Sequence, residues 1–184
     1  MTDNKVIDDS NIRELGAKWV FQELWHSSAL PSDAMHLEYT QALINLAGAD
    51  GVLADKERQW ILGNAVAKGA SADVINHFTT YQPTKADIEA MIASKPTFTQ
   101  HAGRSLIFEA ILAASADIDL HAAERNAIYR LGQSMGMDEA LLQEIEQAAV
   151  NEISHRRQIV ALMYPEGLHK SLNESETDFK SEQT

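Results

Sequence analysis

From Ser10 onward the apolar positions recur at spacings of three and four, which keeps them on one side of a helix. No stretch alternates apolar and polar between turn residues as a strand would. The pattern predicts about eight helices in an all-α bundle. The first, capped by Ser10 and running to about Ser28, carries Ile12, Leu15, Trp19, Val20, Leu24 and Trp25. Its aromatic residues spread around more than one side, which predicts either burial on two faces, the expected use, or an offer of Trp19, Phe21 or Trp25 to a partner. Leu30, Pro31 and Ser32 break the chain, and Ser32 caps a second helix from Asp33 to about Gly48. A third spans about Asp55 to Lys68. Two short ones follow, from Ser71 to about Thr80 and from the T-x-x-D cap of Thr84 and Asp87 through Ile88, Met91 and Ile92. After a loop at Ser94 to Thr97, a sixth helix runs from about Phe98 to Ala116 and a seventh from about His121 to Met135. Asp138 caps a long last helix through Leu142, Ala148, Ile153, Ile159 and Met163, and Pro165 stops it.

One stretch is written twice. AGADGVLADKERQWI, from Ala47 to Ile61, returns as ASADIDLHAAERNAI from Ala114 to Ile128, sixty-seven residues later. At that offset Ile44 pairs with Ile111, Asp50 with Asp117, Leu53 with Leu120, Glu57 with Glu124, Arg58 with Arg125 and Gly69 with Gly136. Each copy reads as a helix, a short acidic turn and a second helix, so one helix-turn-helix unit is used twice. Leu53 and Leu120 are placed to pin the turns to the core, and Gly69 and Gly136 to end the second helix of each pair.

The acids at the turns admit two uses. Glu57 and Glu124 stand three residues after Ala54 and His121, the capping-box spacing that lets a glutamate reach back to the first free amide of its helix. The helix dipole favours a carboxylate there as well. Alternatively, Asp50, Gly51, Leu53 and Glu57 match the second half of a calcium loop, D-G-x-hydrophobic-x-x-x-E. The first half of such a loop is absent, since its leading acidic positions are Leu46 and Gly48, and Ala113 and Ser115 in the second copy. A standard twelve-residue EF-hand loop is therefore excluded.

The 27 acidic against 15 basic residues leave a formal net charge of -12, which argues against non-specific binding to nucleic acid or an anionic membrane. Cations or basic partners suit it better. With 184 residues, 45% of them hydrophobic, the chain can bury one core, and a single domain over 10–164 is expected. It is flanked by a frayed 1–9 and an acidic, disordered 165–184. The absence of cysteine excludes disulfides and thiolate chemistry. No apolar run approaches a membrane span and no signal peptide is evident, so the expected location is cytoplasmic, without membrane insertion.

Three E-x-x-H pairs also occur: Glu23 with His26, Glu152 with His155, and Glu166 with His169. In carboxylate-bridged di-metal bundles, two such pairs on separate helices meet two further glutamates in the interior. Glu23, His26, Glu152 and His155, with Glu109 or Glu38 as bridges, form the alternative reading, a di-metal enzyme. Ordinary boundary residues are the simpler account of the same pairs. Nucleophilic triads and phosphate-binding loops are absent.

The A-[AG]-A-D-G-x-x-x-x-x-E-R stretch opening a helix, followed by a second A-D turn, resembles the tellurite-resistance TerB-like family over about Tyr39 to Gln147. That family also includes the N-terminal domain of a membrane-anchored DnaJ-type co-chaperone. The chain departs from the family pattern at Ala54 and His121, where Ser or Thr is usual, and at Ile118, where Gly is usual. The resemblance implies a compact, non-enzymatic helical module in stress response, beside protein partners at the cytoplasmic face of the membrane. Carried over by position, its metal-binding acids are Asp50, Glu57, Asp117 and Glu124, with Asp119 as an extra oxygen donor. The ion implied is a divalent cation, calcium, magnesium or manganese. A purely structural interaction domain without a ligand is the third reading.

Overall fold

The computed structural model describes residues 9–48, 53–94, 96–116, 120 and 122–172. Among them the chain forms α1 (Asp9–Trp25), α2 (Asp33–Ala47), α3 (Asp55–Ala67), α4 (Ala72–Phe78), α5 (Lys85–Ser94), α6 (Pro96–Ala114), α7 (Ala122–Ser134) and α8 (Glu139–Met163), with no strand. The side chains of Ile88, Met91 and Ile92, expected on a buried face, lie outside the described residues.

The two copies of the repeated unit meet at the centre. α2 and α6, their first helices, pack on one another, and each also receives the second helix of the opposite copy. α3 lies against α2 and α6, and α7 against α6 and α2. Such a reciprocal arrangement lets two hairpins bury their apolar faces in each other, which neither could do alone. Equivalent residues accordingly share a fate. Ile44 and Ile111, and Ile61 and Ile128, are all fully buried, and each such side chain contributes about 2 kcal/mol by leaving water. α4 and α5 close over α2, and α8 runs along α6 and α7.

Local chemistry fixes the helix ends. The Ser32 hydroxyl accepts from the Met35 amide at 3.3 Å, and the Asp138 carboxylate from the Leu141 amide at 2.8 Å. α3 and α7 finish in the same motif. The Ala70 amide donates to the Ala65 carbonyl at 2.9 Å, and Met137 does the same to Gly132 at 3.1 Å. The turn residues Gly69 and Gly136 sit at φ 92° and 87°, a region costly for any residue with a Cβ. α6 begins two residues earlier than the sequence suggests, because Pro96 serves as a first-turn residue, where its missing N–H is no loss.

α1 departs most from expectation. It is not buried on two faces: Ala17 is its one buried residue among those described, while Ile12, Leu15 and Trp19 face outward and Trp19 is 60% exposed. Only α3 forms an extended contact with it, so a single layer covers a helix whose apolar residues lie on more than one side. α1 ends at Trp25, with His26 in the left-handed region at φ 48°. At the other end of the chain, Pro165 and Glu166 form a turn and residues 168–172 are helical, while 1–8 and 173–184 lie outside the described residues.

Candidate functional site

Of the five acids assigned to the turns, Asp50, Asp117 and Asp119 lie outside the described residues, as do Gly51, Ile118 and His121. The second helices of the hairpins place the other two. Glu57, in the first turn of α3, is 2% exposed, and its Oε2 accepts from the Ala54 amide at 2.7 Å, the contact its spacing predicts. Ala54 has no polar side chain to complete a capping box, so this carboxylate is the polar cap of α3. A bidentate grip on a cation, as in a calcium loop, competes with that cap; Oε1 is the oxygen a cation would take. Glu124 stands at the matching place in α7, half-buried. Leu53 and Leu120 both pack against the core beside them, pinning the ends of the turns as expected.

A second polar group lies deeper. Glu109, on the fully apolar stretch of α6, is 2% exposed, and its Oε1 accepts from the Lys68 ammonium. Its Oε2 accepts from Asn64 Nδ2 at 2.8 Å, so α3 and the residue that caps its C-terminus supply the two partners. The Lys68 ammonium also lies 5.2 Å from the centre of the Trp25 ring and 5.4 Å from that of Tyr39. One cation thereby joins α2, α3, α6 and the end of α1. Burial, and then the Glu109 charge, push the Tyr39 hydroxyl well above the usual tyrosine value. Burial pulls His36 below the ordinary histidine value, against the opposing pull of Asp33.

The repeated arginines have diverged in use. Arg58 donates from Nη1 to the carbonyls of Phe78 and Tyr81, at 2.9 and 2.8 Å, tying α3 to the segment after α4. Arg125 instead grips Glu146 of α8 with two parallel bonds, 2.6 Å from Nε and 2.7 Å from Nη2. The Tyr129 hydroxyl donates to the same carboxylate. The guanidinium holds Glu146 below its ordinary carboxyl value, against the effect of burial, whereas burial first and the bond to Glu146 second push Tyr129 up to about 12. A depressed carboxyl contributes fully above its unfolded value near 4.5 and loses that contribution as pH falls through the lower folded value. A raised phenol contributes below its unfolded value of 10.0 and loses that contribution as pH rises towards about 12. Urea titrations across pH are therefore expected to show stability level in the neutral range and falling at both ends. Glu146→Gln should flatten part of the acid side, and identical acid limbs in the two proteins would refute the assignment.

The di-metal arrangement is not formed. Glu23 and His26 are exposed at the end of α1, His155 is exposed on α8, Glu152 pairs with Arg156, and Glu109 is taken by Lys68. No group of three or more His, Asp or Glu is placed to hold a metal ion among the described residues. Glu152 and His155 do share α8, but His26 stands past the end of α1, so Glu23 and His26 are not a helical pair.

No known family profile matches the chain, and no curated protein does. Its fold does match the crystal structure of a tellurite resistance protein from Nostoc punctiforme PCC 73102. The TM-score is 0.77 at 28% sequence identity, over 85% of this chain and 96% of that one. The fold is TerB-like. At 85% of the chain, the TerB-like match is longer than the stretch from Tyr39 to Gln147 that carried the resemblance. Among the described residues of this TerB-like chain, no helix is long and apolar enough to cross a membrane. Sequence reading singled out Glu109 as a carboxylate inside an apolar helix but missed Lys68, Asn64 and Tyr39, whose types are ordinary for the helices that bear them. It missed the Arg125, Tyr129 and Glu146 group for the same reason.

Proposed function

We propose that this TerB-like chain is a non-enzymatic binding module of a stress response, acting beside protein partners at the cytoplasmic face of the membrane. In this reading its acidic turns hold a divalent cation, calcium, magnesium or manganese, through Asp50 and Glu57 in one copy and Asp117, Asp119 and Glu124 in the other. What carries it is the repetition. Two like hairpins each deliver a glutamate to the first turn of their second helix, directly behind a turn that bears aspartate in both copies. The fold match to a tellurite resistance protein supports the stress-response setting, and the resemblance to the membrane-anchored co-chaperone domain supports the membrane face. A ligand-free interaction domain is the second reading, favoured by the bond from the Ala54 amide to Glu57.

Thermal unfolding with and without each cation separates the two. Under the cation reading, calcium, magnesium or manganese at about a hundred times its Kd stabilises the protein by about 2.7 kcal/mol, and Asp50→Asn with Asp117→Asn abolishes that gain. Melting curves that ignore all three ions, in the native chain as in the variant, would leave the interaction domain as the surviving account. Iron retained through purification, with a near-ultraviolet absorption band, would instead speak for a metalloenzyme.

A further inference from the structure

His36 is buried where the chain around it is not. Of the first residues of α2, Asp33 to Leu37, it alone is enclosed, at 6% exposure, while Met35 and Leu37 on either side stand in water. The end of α3 and the inner side of α1 lie against it. Its ring is within bonding reach of the backbone of Lys68, the residue that caps α3. The next residue, Gly69, runs so close to Ala17, the buried residue of α1, that a Cβ at Gly69 would stand 2.7 Å from that of Ala17. Arg13, one turn before Ala17 on the same side of α1, is near enough for its charge to act on His36. α1 thus lies towards His36 by the side that carries Arg13 and Ala17.

The same helix is the element most easily lifted. α3 is its one extended contact, and residues 26–32 join it to α2 without helical structure, beginning at the left-handed His26. A hinge of that kind lets a helix leave as a rigid piece. The enclosed site suits a neutral ring and not an imidazolium. Burial opposes the charge most; Asp33, one turn back on α2, favours it; Lys68 and Arg13 both oppose it, although the Lys68 ammonium is itself paired with Glu109 of α6. Departure of α1 takes away the Arg13 charge and lets water reach the ring. We propose that His36 is a proton-operated latch for α1: a neutral ring leaves α1 seated on the end of α3, and a proton on the ring favours the state in which α1 has swung away on residues 26–32. The direction of the pH effect follows from the ring's preference. His36 is held below its ordinary value of 6.5, so the seated state is fully favoured above that pH and loses ground as pH falls below it. The latch is independent of any cation at the acidic turns.

Hydrogen exchange of the full chain in EDTA, read by mass spectrometry and corrected for the intrinsic pH dependence of amide exchange, tests it. A released α1 is a single short helix, marginal in water, so its amides exchange once it leaves the bundle. On going from about pH 7.5 to about pH 5.5, opening of α1 should rise several-fold, up to roughly tenfold, the limit for one proton taken up about one pH unit below 6.5. Peptides of α6, whose Leu106, Ile107 and Ile111 are fully buried, should keep their protection. His36→Gln should make the protection of α1 independent of pH over that range, whatever its level. Arg13 is exposed, so Arg13→Gln should fold as the parent does and show a smaller acid response, since that charge opposes the proton only while α1 is seated. Protection of α1 that ignores pH would overturn the proposal, as would α1 and α6 loosening together. So would a His36→Gln chain that opens in acid as the parent does, or an undiminished response in Arg13→Gln.

Discussion

Replacing Lys68 by methionine is expected to lower the unfolding free energy by about 3 to 5 kcal/mol, the range for stripping one partner from a buried ion pair. The loss should be read from urea or thermal unfolding. Its origin is the carboxylate left behind. Glu109 is 2% exposed and would lose the cation that neutralises it, while keeping the Asn64 amide as a partner. Methionine retains much of the apolar stem of lysine, so the change isolates the charge, apart from the contact of the ammonium with Trp25 and Tyr39. Adding Glu109→Met to Lys68→Met removes both charges from the interior and is expected to recover most of the stability, because a buried ion pair and a well-packed apolar pair are close in energy. A Lys68→Met chain losing under about 1 kcal/mol, the scale of an exposed pair, would mean that the pair is wet and plays no part in tying α3 to α6.

The glycines that end α3 and α7 give the second large effect. Gly69 and Gly136 have nearly the same positive φ, so alanine at either carries the penalty of the left-handed region, about 1 to 2 kcal/mol. They differ in surroundings. A Cβ at Gly136 meets nothing within 4 Å, whereas at Gly69 it would stand 2.7 Å from the Cβ of Ala17 on α1. Gly69 closes the end of α3 and Ala17 sits midway along α1, so neither atom can swing aside, α1 has to shift, and Gly69→Ala is expected to lose about 2 to 4 kcal/mol, strain and overpacking together. Thermal melts of the two single variants provide the comparison. If Gly69→Ala proves no worse than Gly136→Ala, α1 is not seated on the end of α3 as described. Because Ala17 is the buried residue of α1, the same comparison measures how firmly that helix is held, and hence how rigidly it can present Ile12, Leu15 and Trp19.

Much of the fold could be read from the chain. The spacing of Leu43, Ile44, Leu46 and Ala47 placed α2, and the return of the same pattern through Ile107, Ala110, Ile111 and Ala114 placed α6. The glutamate cap at Ala54 followed from a three-residue interval, and the identical ends of α3 and α7 from two glycines at one offset. The interior polar sites could not be read. Glu109 looked like a metal bridge because its helix is apolar, but an apolar helix says only that the carboxylate is buried, not what neutralises it. His26 looked like a ligand because of its distance from Glu23; the structure uses it as the left-handed residue that ends α1.

The sequence by itself determined the helices, their caps and the duplication, since each depends on residues within a few positions of one another or on a repeat visible in one dimension. Tertiary structure alone decided the partners of the buried charges, because Lys68 reaches Glu109 across 41 residues and Arg125 reaches Glu146 across 21. Those pairings depend on how far one helix is slid and turned against the next. It likewise decided that α1 keeps one face in water, since an apolar stripe is buried only where a second layer exists to receive it, and the sequence of a helix does not record the number of its neighbours.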